Sequence, residues 1–363
     1  MEDGVPSGLR ILRSGLEASA SPRPAARVGG LRSHGDRMVP PGHLDFAVNV
    51  WPGGPPEWLR AELAASLERI SSYPDEAEAT AALAERHARR PEEVLPLNGA
   101  AEASWLLAAA LRPRRAVVVH PTFTEPEAAL RAQGRIVMRA FRDPETFALD
   151  PATVPDDADL VVLGNPNNPT GNLEAARTIE ALARPGRVLV VDEAFMEFCP
   201  GEPESLASRT GLPGLVVVRS LTKLWSLPGL RAGYLLAPAG LVARLQEVRQ
   251  PWPVNAPALA AMVACARAED EARKRAEEVA EAREVLAARL AEIPGLRVWP
   301  SAANFLLLRV PDGSGLHDAL LVRRVAVRPA GTFPGLTPDH LRVSVRRPEE
   351  NERLVEAMRE VLG

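Results

Sequence analysis

The sequence predicts an α/β protein whose larger part is a mainly parallel sheet between two layers of helices. Five short runs rich in valine and leucine alternate with segments of helical or turn character. Within each run the apolar residues are successive rather than alternating, a pattern typical of strands that are covered on both faces. The runs are residues 116–119, 160–163, 188–191, 215–218 and 234–236.

Helical spacing appears ahead of these strands. Leu59, Leu63, Leu67 and Ile70 follow two consecutive prolines at intervals that place them on one helix face. Residues 102–111 follow a glycine turn and predict a second helix.

The pattern changes after residue 255 and predicts a smaller α+β unit at the C-terminus. An Ala/Glu/Arg-rich stretch at 256–293 indicates one long helix, broken at most once, that joins two domains. Beyond it we expect three strands and a closing helix, at residues 303–308, 325–328, 341–345 and 348–362.

Three parts of the chain follow from this pattern. Residues 1–30 are rich in Pro, Ala, Gly, Ser and Arg and predict a mobile extension. Residues 31–255 form an N-terminal segment and a large domain, and residues 256–363 form the linking helix and a small domain.

Composition excludes several classes of partner. The formal net charge of −4 comes from 43 basic and 47 acidic residues spread evenly along the chain, which predicts a small-molecule substrate rather than a nucleic acid or an anionic membrane. No apolar run is long enough to span a bilayer. Cys199 and Cys265 are too few for a disulfide framework or a zinc site, so we expect packing thiols in a reducing cytoplasm.

Polar residues follow the apolar runs at the carboxyl ends of the predicted strands, where open α/β sheets bind ligands. Asp192 ends one run, the segment 165–171 follows another, and Lys223 lies five residues beyond a third. A partly desolvated lysine near cations can have its pKa lowered enough to attack a carbonyl group. Taken alone, however, Lys223 could be a solvated surface residue and Asp192 a helix cap.

Two features nearby are suited to a phosphate. Arg231 lies eight residues after Lys223 and could hold a phosphate dianion in a bidentate fork. Residues 98–102 offer a glycine followed by a helix start, whose backbone N–H groups and dipole favour an anion.

Together these segments resemble the class I/II aminotransferase superfamily of fold-type I pyridoxal-phosphate (PLP) enzymes, from His34 to the C-terminus. The most specific matches are residues 165–171, 192–195, 220–223 and 229–233. The resemblance implies that Lys223 forms a Schiff base with PLP and later shuttles protons. It also implies that Asp192 binds the pyridine nitrogen and that Asn168 binds the phenolic oxygen of the ring.

The same resemblance assigns further cofactor contacts. Those to the cofactor phosphate would come from Ala100, Ala101, Ser220, Thr222 and Arg231. Phe123 would lie against the pyridine face, and Tyr73 would reach the cofactor phosphate of a neighbouring subunit, which implies a homodimer with shared sites. Both aromatic residues could instead be packing residues.

Within the superfamily the chain is similar to the branch that contains histidinol-phosphate aminotransferase and the threonine-phosphate decarboxylase of cobalamin synthesis. Both act on a small amino compound with a distal phosphate. Five features favour the decarboxylase, namely residues 34–36, 44–49, 327–336 and 342–353 and a phenylalanine at position 195.

This branch also implies a set of substrate contacts. Arg342 would bind the substrate carboxylate, and Arg328 with Asn304 and His34 would meet the substrate phosphate. Asp36 replaces a glycine of the relatives and would repel that phosphate unless it pairs with Arg32 or Arg37.

The sequence leaves the reaction open. The bond to the α-carbon that lies perpendicular to the cofactor ring is the one that breaks, so one scaffold permits either decarboxylation or transamination. A binding or regulatory module that keeps the cofactor without turnover is a further alternative. A nicotinamide-binding protein is disfavoured, because no Gly-x-Gly-x-x-Gly follows a strand.

Overall fold

The computed structural model describes residues 30–363. The extension predicted at residues 1–30 therefore lies outside the described residues except for Gly30. The strands are β1 (Leu44–Asp45), β2 (Val94–Asn98), β3 (Ala116–His120), β4 (Val137–Phe141), β5 (Leu160–Gly164), β6 (Val188–Asp192), β7 (Leu215–Ser220), β8 (Ala232–Leu236), β9 (Arg297–Val298), β10 (Phe305–Arg309), β11 (Val325–Ala326), β12 (Arg328–Pro329) and β13 (His340–Ser344). The helices are α1 (Glu57–Ser66), α2 (Ala77–Arg86), α3 (Ala101–Leu111), α4 (Glu125–Ala132), α5 (Ala176–Glu180), α6 (Ala239–Glu247), α7 (Ala256–Ala266), α8 (Glu269–Ala291), α9 (Gly313–Val322) and α10 (Pro348–Leu362).

The large sheet has the strand order β2-β8-β7-β6-β5-β3-β4. Strands β3 to β7 run parallel, whereas β8 is antiparallel to both of its neighbours. All five predicted runs are strands of this sheet, which confirms the mainly parallel α/β class. The sequence did not predict β2 or β4, the two edge strands. Pro96 interrupts β2, and Arg139 leaves the middle of β4 exposed.

Alternate residues of the central strands enter two separate hydrophobic cores, so both faces of the sheet are buried. Val117 and Val161 pack in one core, with α2 and α7. Val118 and Val162 pack in the other, with α3, α4 and α6. Strands buried on both sides need apolar residues at every position, which explains the continuous runs in the sequence.

The helix predictions are confirmed in two places and fail in one. The helix predicted at 102–111 is α3, and the linking segment is α7 followed by α8, broken once at Arg267 and Ala268. The predicted helix face through Ile70 was wrong beyond Ser66. Here α1 gives way to a 3-10 turn, and Leu67 and Ile70 are 55% and 65% exposed rather than packed in the core.

The C-terminal part contains the predicted strands and the closing helix α10. Its antiparallel sheet has the order β12-β13-β10-β9. Strand β1 pairs with β11, so the N-terminal segment is joined to this part of the chain through Leu44 and Val325. The domain division at residue 255 stays a prediction.

The sequence predicted neither a membrane-spanning segment nor a disulfide framework. No helix within residues 30–363 combines the length and apolar composition that a membrane crossing needs. Cys199 and Cys265 are both buried and unpaired.

Candidate active site

A cavity of about 460 Å³ opens at the carboxyl ends of the parallel strands, within the size range of small-molecule sites. Strands β5, β6 and β7 end here, so the polar residues that follow them converge. Twelve of the fourteen predicted site residues line this cavity. They are His34, Ala100, Ala101, Phe123, Asn168, Asp192, Ser220, Thr222, Lys223, Arg231, Arg328 and Arg342.

Lys223 lies three residues after β7, with its side chain in the cavity. Burial, together with the charges of Arg342 and Arg231, lowers the pKa of its amine to about 8, and the carboxylates of Asp192 and Asp36 partly oppose the shift. A hydrogen bond from the Trp51 amide to the Lys223 carbonyl, 3.1 Å long, fixes the backbone at this position. More of the amine is therefore unprotonated near neutral pH than in an exposed lysine, as a nucleophile requires.

Asp192 ends β6 and faces the same cavity. Burial raises the pKa of its carboxyl group to about 6, although a 3.0 Å hydrogen bond from the Ala194 amide and the charge of Lys223 oppose the shift. No arginine or histidine among residues 30–363 forms an ion pair with Asp192. A part-buried carboxylate at the cavity wall, with only the lysine amine of Lys223 as a nearby cation among the described residues, is suited to a cationic N–H group supplied by a ligand.

An anion cradle lies between the start of α3 and the segment after β7. The backbone N–H groups of Ala100 and Ala101 open α3, where the helix dipole favours negative charge. Gly99 has φ +80°, and a Cβ there would overlap Arg231 Nη2, so only glycine lets the guanidinium lie against the helix start. Ser220 Oγ and Thr222 Oγ1 are 2.8 Å apart and add two hydroxyl groups.

Asn168 is joined to the arginine predicted to bind a carboxylate. Arg342 Nη1 donates to Asn168 Oδ1 at 2.5 Å, and Arg342 Nη2 donates to the Ala47 carbonyl at 2.7 Å. The amide NH₂ of Asn168 stays available to donate to an oxygen in the cavity.

A buried ion pair that the sequence did not reveal supports the loop that carries Asn168. Arg142 Nη1 and Glu174 Oε1 are 2.6 Å apart, and Arg142 Nη2 donates to the Gly164 carbonyl. The side chain of Asn165 bonds to both backbone groups of Glu174. Arg142 follows β4, an edge strand that was not predicted, so the search at strand ends did not reach it.

Two arginines lie directly opposite each other on paired strands. Arg328 of β12 and Arg342 of β13 are register partners, both are buried, and both line the cavity. Burial and the charge of Arg328 lower the pKa of Arg342. Like charges at opposed positions destabilise a sheet, so this arrangement favours anionic ligands.

The N-terminal segment closes one side of the cavity. His34 Nε2 lies 2.7 Å from Glu125 Oε1, another residue that the sequence interpretation missed. Glu125 is the first residue of α4, five residues after β3 ends at His120, and the sequence gives no signal of its contact with His34, 91 residues away. Asp36 lines the cavity, but neither Arg32 nor Arg37 pairs with it among the described residues, and Arg32 instead lies 3.9 Å from Glu125.

Two predicted residues do not line the cavity. Tyr73 is 75% exposed and stacks on Trp252, with ring centroids 4.1 Å apart. Asn304 is fully buried, and neither polar atom of its side chain has a hydrogen-bond partner within the described part of the chain. The contact of Asn304 with the substrate phosphate stays a prediction.

Residues 41–358 match the family model for aminotransferase class I and II. The chain belongs to this family. Enzymes of the family use PLP, and the residues of this cavity fit that cofactor. Lys223 offers an amine for covalent attachment, Asp192 a carboxylate for the pyridine nitrogen, and the cradle at Ala100 and Arg231 a site for the phosphate.

Relatives of this aminotransferase-family chain carry two different activity names. It is 47% identical to a histidinol-phosphate aminotransferase of Mycobacterium tuberculosis over 94% of this chain and 93% of the relative. It is 35% identical to the threonine-phosphate decarboxylase of Salmonella typhimurium over 88% and 91%.

Solved structures show the same division. The histidinol-phosphate aminotransferase from Clostridium acetobutylicum superposes with a TM-score of 0.82 at 25% identity, covering 87% of this chain and 98% of the other. The L-threonine-O-3-phosphate decarboxylase from Porphyromonas gingivalis superposes with a TM-score of 0.79 at 28% identity and the same coverage. The fold is therefore that of fold-type I PLP enzymes.

Proposed function

We propose that this enzyme is a PLP-dependent decarboxylase that converts L-threonine O-3-phosphate to aminopropanol phosphate for cobalamin biosynthesis. The observation that supports this most is the opposed pair Arg328 and Arg342 at one wall of the cavity. Threonine phosphate carries a carboxylate and a phosphate, one anion for each guanidinium. Histidinol phosphate has a single anionic group, and in its transamination the dianion for this pair would be the dicarboxylate 2-oxoglutarate.

Three residues of the chain have separate roles in binding the substrate and moving the proton. Arg342, held by Asn168 and the Ala47 carbonyl, fixes the substrate carboxylate, and Arg328 meets the distal phosphate. Bound PLP supplies an electron sink for the bond that breaks at the α-carbon. Lys223 Nζ returns a proton to the α-carbon in place of the lost carboxylate, so that carbon dioxide is the only other product.

We further propose a homodimer in the cytoplasm. Tyr73 and Trp252 stack on each other, and both are exposed, as are Leu67 and Ile70. A second copy of the chain would cover this exposed apolar surface. Tyr73 would then reach the partner's cofactor phosphate. The two unpaired, buried cysteines fit a reducing compartment.

Transamination of histidinol phosphate is the second candidate, favoured by the 47% identity to the mycobacterial relative of that name. The two reactions are separated by incubating purified holoenzyme with threonine phosphate, and separately with histidinol phosphate plus 2-oxoglutarate. Carbon dioxide and aminopropanol phosphate without glutamate support the decarboxylase. Glutamate formed at the expense of histidinol phosphate overturns it, and Lys223→Ala provides the blank for both reactions.

A further inference from the structure

Residues 31–38, here called the N-terminal strap, cross the cavity between the two parts of the fold. On one side Thr124 Oγ1 donates to the Leu31 carbonyl, and His34 contacts Glu125. On the other side Arg328 Nη2 donates to the Ser33 carbonyl at 2.7 Å. The strap therefore brings His34 close to the arginine proposed to meet the substrate phosphate.

The contact between His34 and Glu125 is built into the cavity wall. The Glu125 side chain is only 8% exposed, whereas that of His34 is 31% exposed, and both residues line the cavity. The hydrogen bond from His34 lowers the pKa of Glu125, with a further contribution from Arg32, so Glu125 is a carboxylate at neutral pH. The His34 ring also lies 6.1 Å from the ring of Phe123.

We propose that Glu125 is a positioning residue for substrate recognition, which holds His34 so that the second imidazole nitrogen donates to the distal anion of the substrate. This inference rests on the proposed function, which supplies that anion. His34 Nε2 is hydrogen-bonded to Glu125, and no described residue forms a hydrogen bond with His34 Nδ1.

The chemistry of the ring makes the contact dependent on pH. When Nε2–H donates to Glu125, Nδ1 can donate only while the imidazole carries both protons. The charged groups that face His34 are the carboxylates of Glu125 and Asp36 and the cations Arg32 from the strap and Arg328 from β12, with Lys223 and Arg342 across the cavity.

The test is a spectral titration of the holoenzyme with threonine O-phosphate and with threonine, over a range of pH. The wild-type enzyme should bind the phosphorylated compound more tightly, and this preference should fall as the pH rises. Glu125→Gln keeps an acceptor for Nε2–H but removes the charge. We expect it to weaken the preference about tenfold, as for one charged hydrogen bond, and to move the fall to lower pH.

Two further variants separate the effect of the Glu125 charge from the effect of holding the strap in place. Thr124→Val removes the hydrogen bond from Thr124 Oγ1 to the Leu31 carbonyl, which also holds the strap, and should leave the pH midpoint unchanged. His34→Gln, at a half-buried position of the strap, should make the remaining preference independent of pH. Unchanged absorbance of the bound cofactor and unchanged thermal unfolding show that each variant is folded.

The two proposals fail in different ways. If wild-type enzyme prefers the phosphorylated compound and Glu125→Gln has the same preference and pH midpoint, the role of Glu125 is refuted and the proposed function stands. If the wild-type enzyme shows no preference for the phosphorylated compound, both are refuted.

Discussion

Replacing Asp192 with asparagine should stabilise the cofactor-free protein while impairing the holoenzyme. Burial raises the pKa of this carboxyl group from 3.8 to about 6. Because a tenfold change in an equilibrium constant corresponds to about 1.4 kcal/mol, this difference means that ionised Asp192 costs the folded, cofactor-free protein about 3 kcal/mol. Asparagine carries no charge and can still accept the hydrogen bond from the Ala194 amide.

The sign of the pH dependence follows from the direction of the shift. The folded-state pKa lies above the unfolded one, so the penalty is absent below about pH 4, grows from there to about pH 6, and is complete above it. We expect the gain in the free energy of unfolding of Asp192→Asn to approach about 3 kcal/mol at about pH 7.5 and to vanish near pH 4.

Urea unfolding of the cofactor-free proteins, followed by circular dichroism at the two pH values, measures this difference. Asp156→Asn is the matched control, because the Asp156 side chain is 87% exposed and, within residues 30–363, its one ion pair is with exposed Arg184. It should change stability by less than about 1 kcal/mol. A variant at position 192 that gains nothing at neutral pH, or gains equally at both pH values, would refute the reasoning. In the holoenzyme the effect should reverse, since an amide offers no charge to the pyridine nitrogen and the cofactor should dissociate faster.

Two other predictions concern the amine and the buried ion pair. Burial lowers the pKa of Lys223 to about 8, so the rate of PLP uptake by cofactor-free protein, followed by absorbance, should rise with pH and level off above about 8; a rate independent of pH contradicts this. Glu174→Ala leaves Arg142 buried without its carboxylate and should lower the free energy of unfolding by about 3–5 kcal/mol. The exposed pair of Glu145 and Arg297 is the control, and Glu145→Ala should cost less than about 1 kcal/mol in the same urea assay. Equal losses in the two variants would contradict the second prediction.

Much of the large sheet could be predicted because its central strands are apolar at every position. That continuity disappears at the edges of the sheet, where Pro96 and Arg139 lie within strands that have only one neighbour. Leu67 and Ile70 have helical spacing but are exposed, since a spacing pattern does not say what covers the face it defines.

The site could be predicted where a residue follows a parallel strand, as Asp192 and Lys223 do. Glu125 and Glu174 take their places from contacts with His34 and Arg142, which lie 91 and 32 residues away in the sequence. No local pattern contains such pairs.

Asn304 shows a different limit of sequence interpretation. The next residue, Phe305, directs its ring toward Arg342, with the guanidinium carbon 5.2 Å from the ring centroid. Asn304 lies in the bend just before β10 and is not among the residues that line the cavity, and the sequence pattern does not reveal this.

The most direct test uses the fact that the chain contains two lysines, Lys223 and Lys274. Lys274 is exposed on α8 and is therefore an internal control. Borohydride reduction of the PLP-loaded enzyme, followed by peptide mapping, should place the cofactor on Lys223 alone, and Lys223→Ala should show no yellow absorbance. A cofactor recovered on Lys274, or a Lys223→Ala protein that keeps its colour and its turnover, would contradict the account.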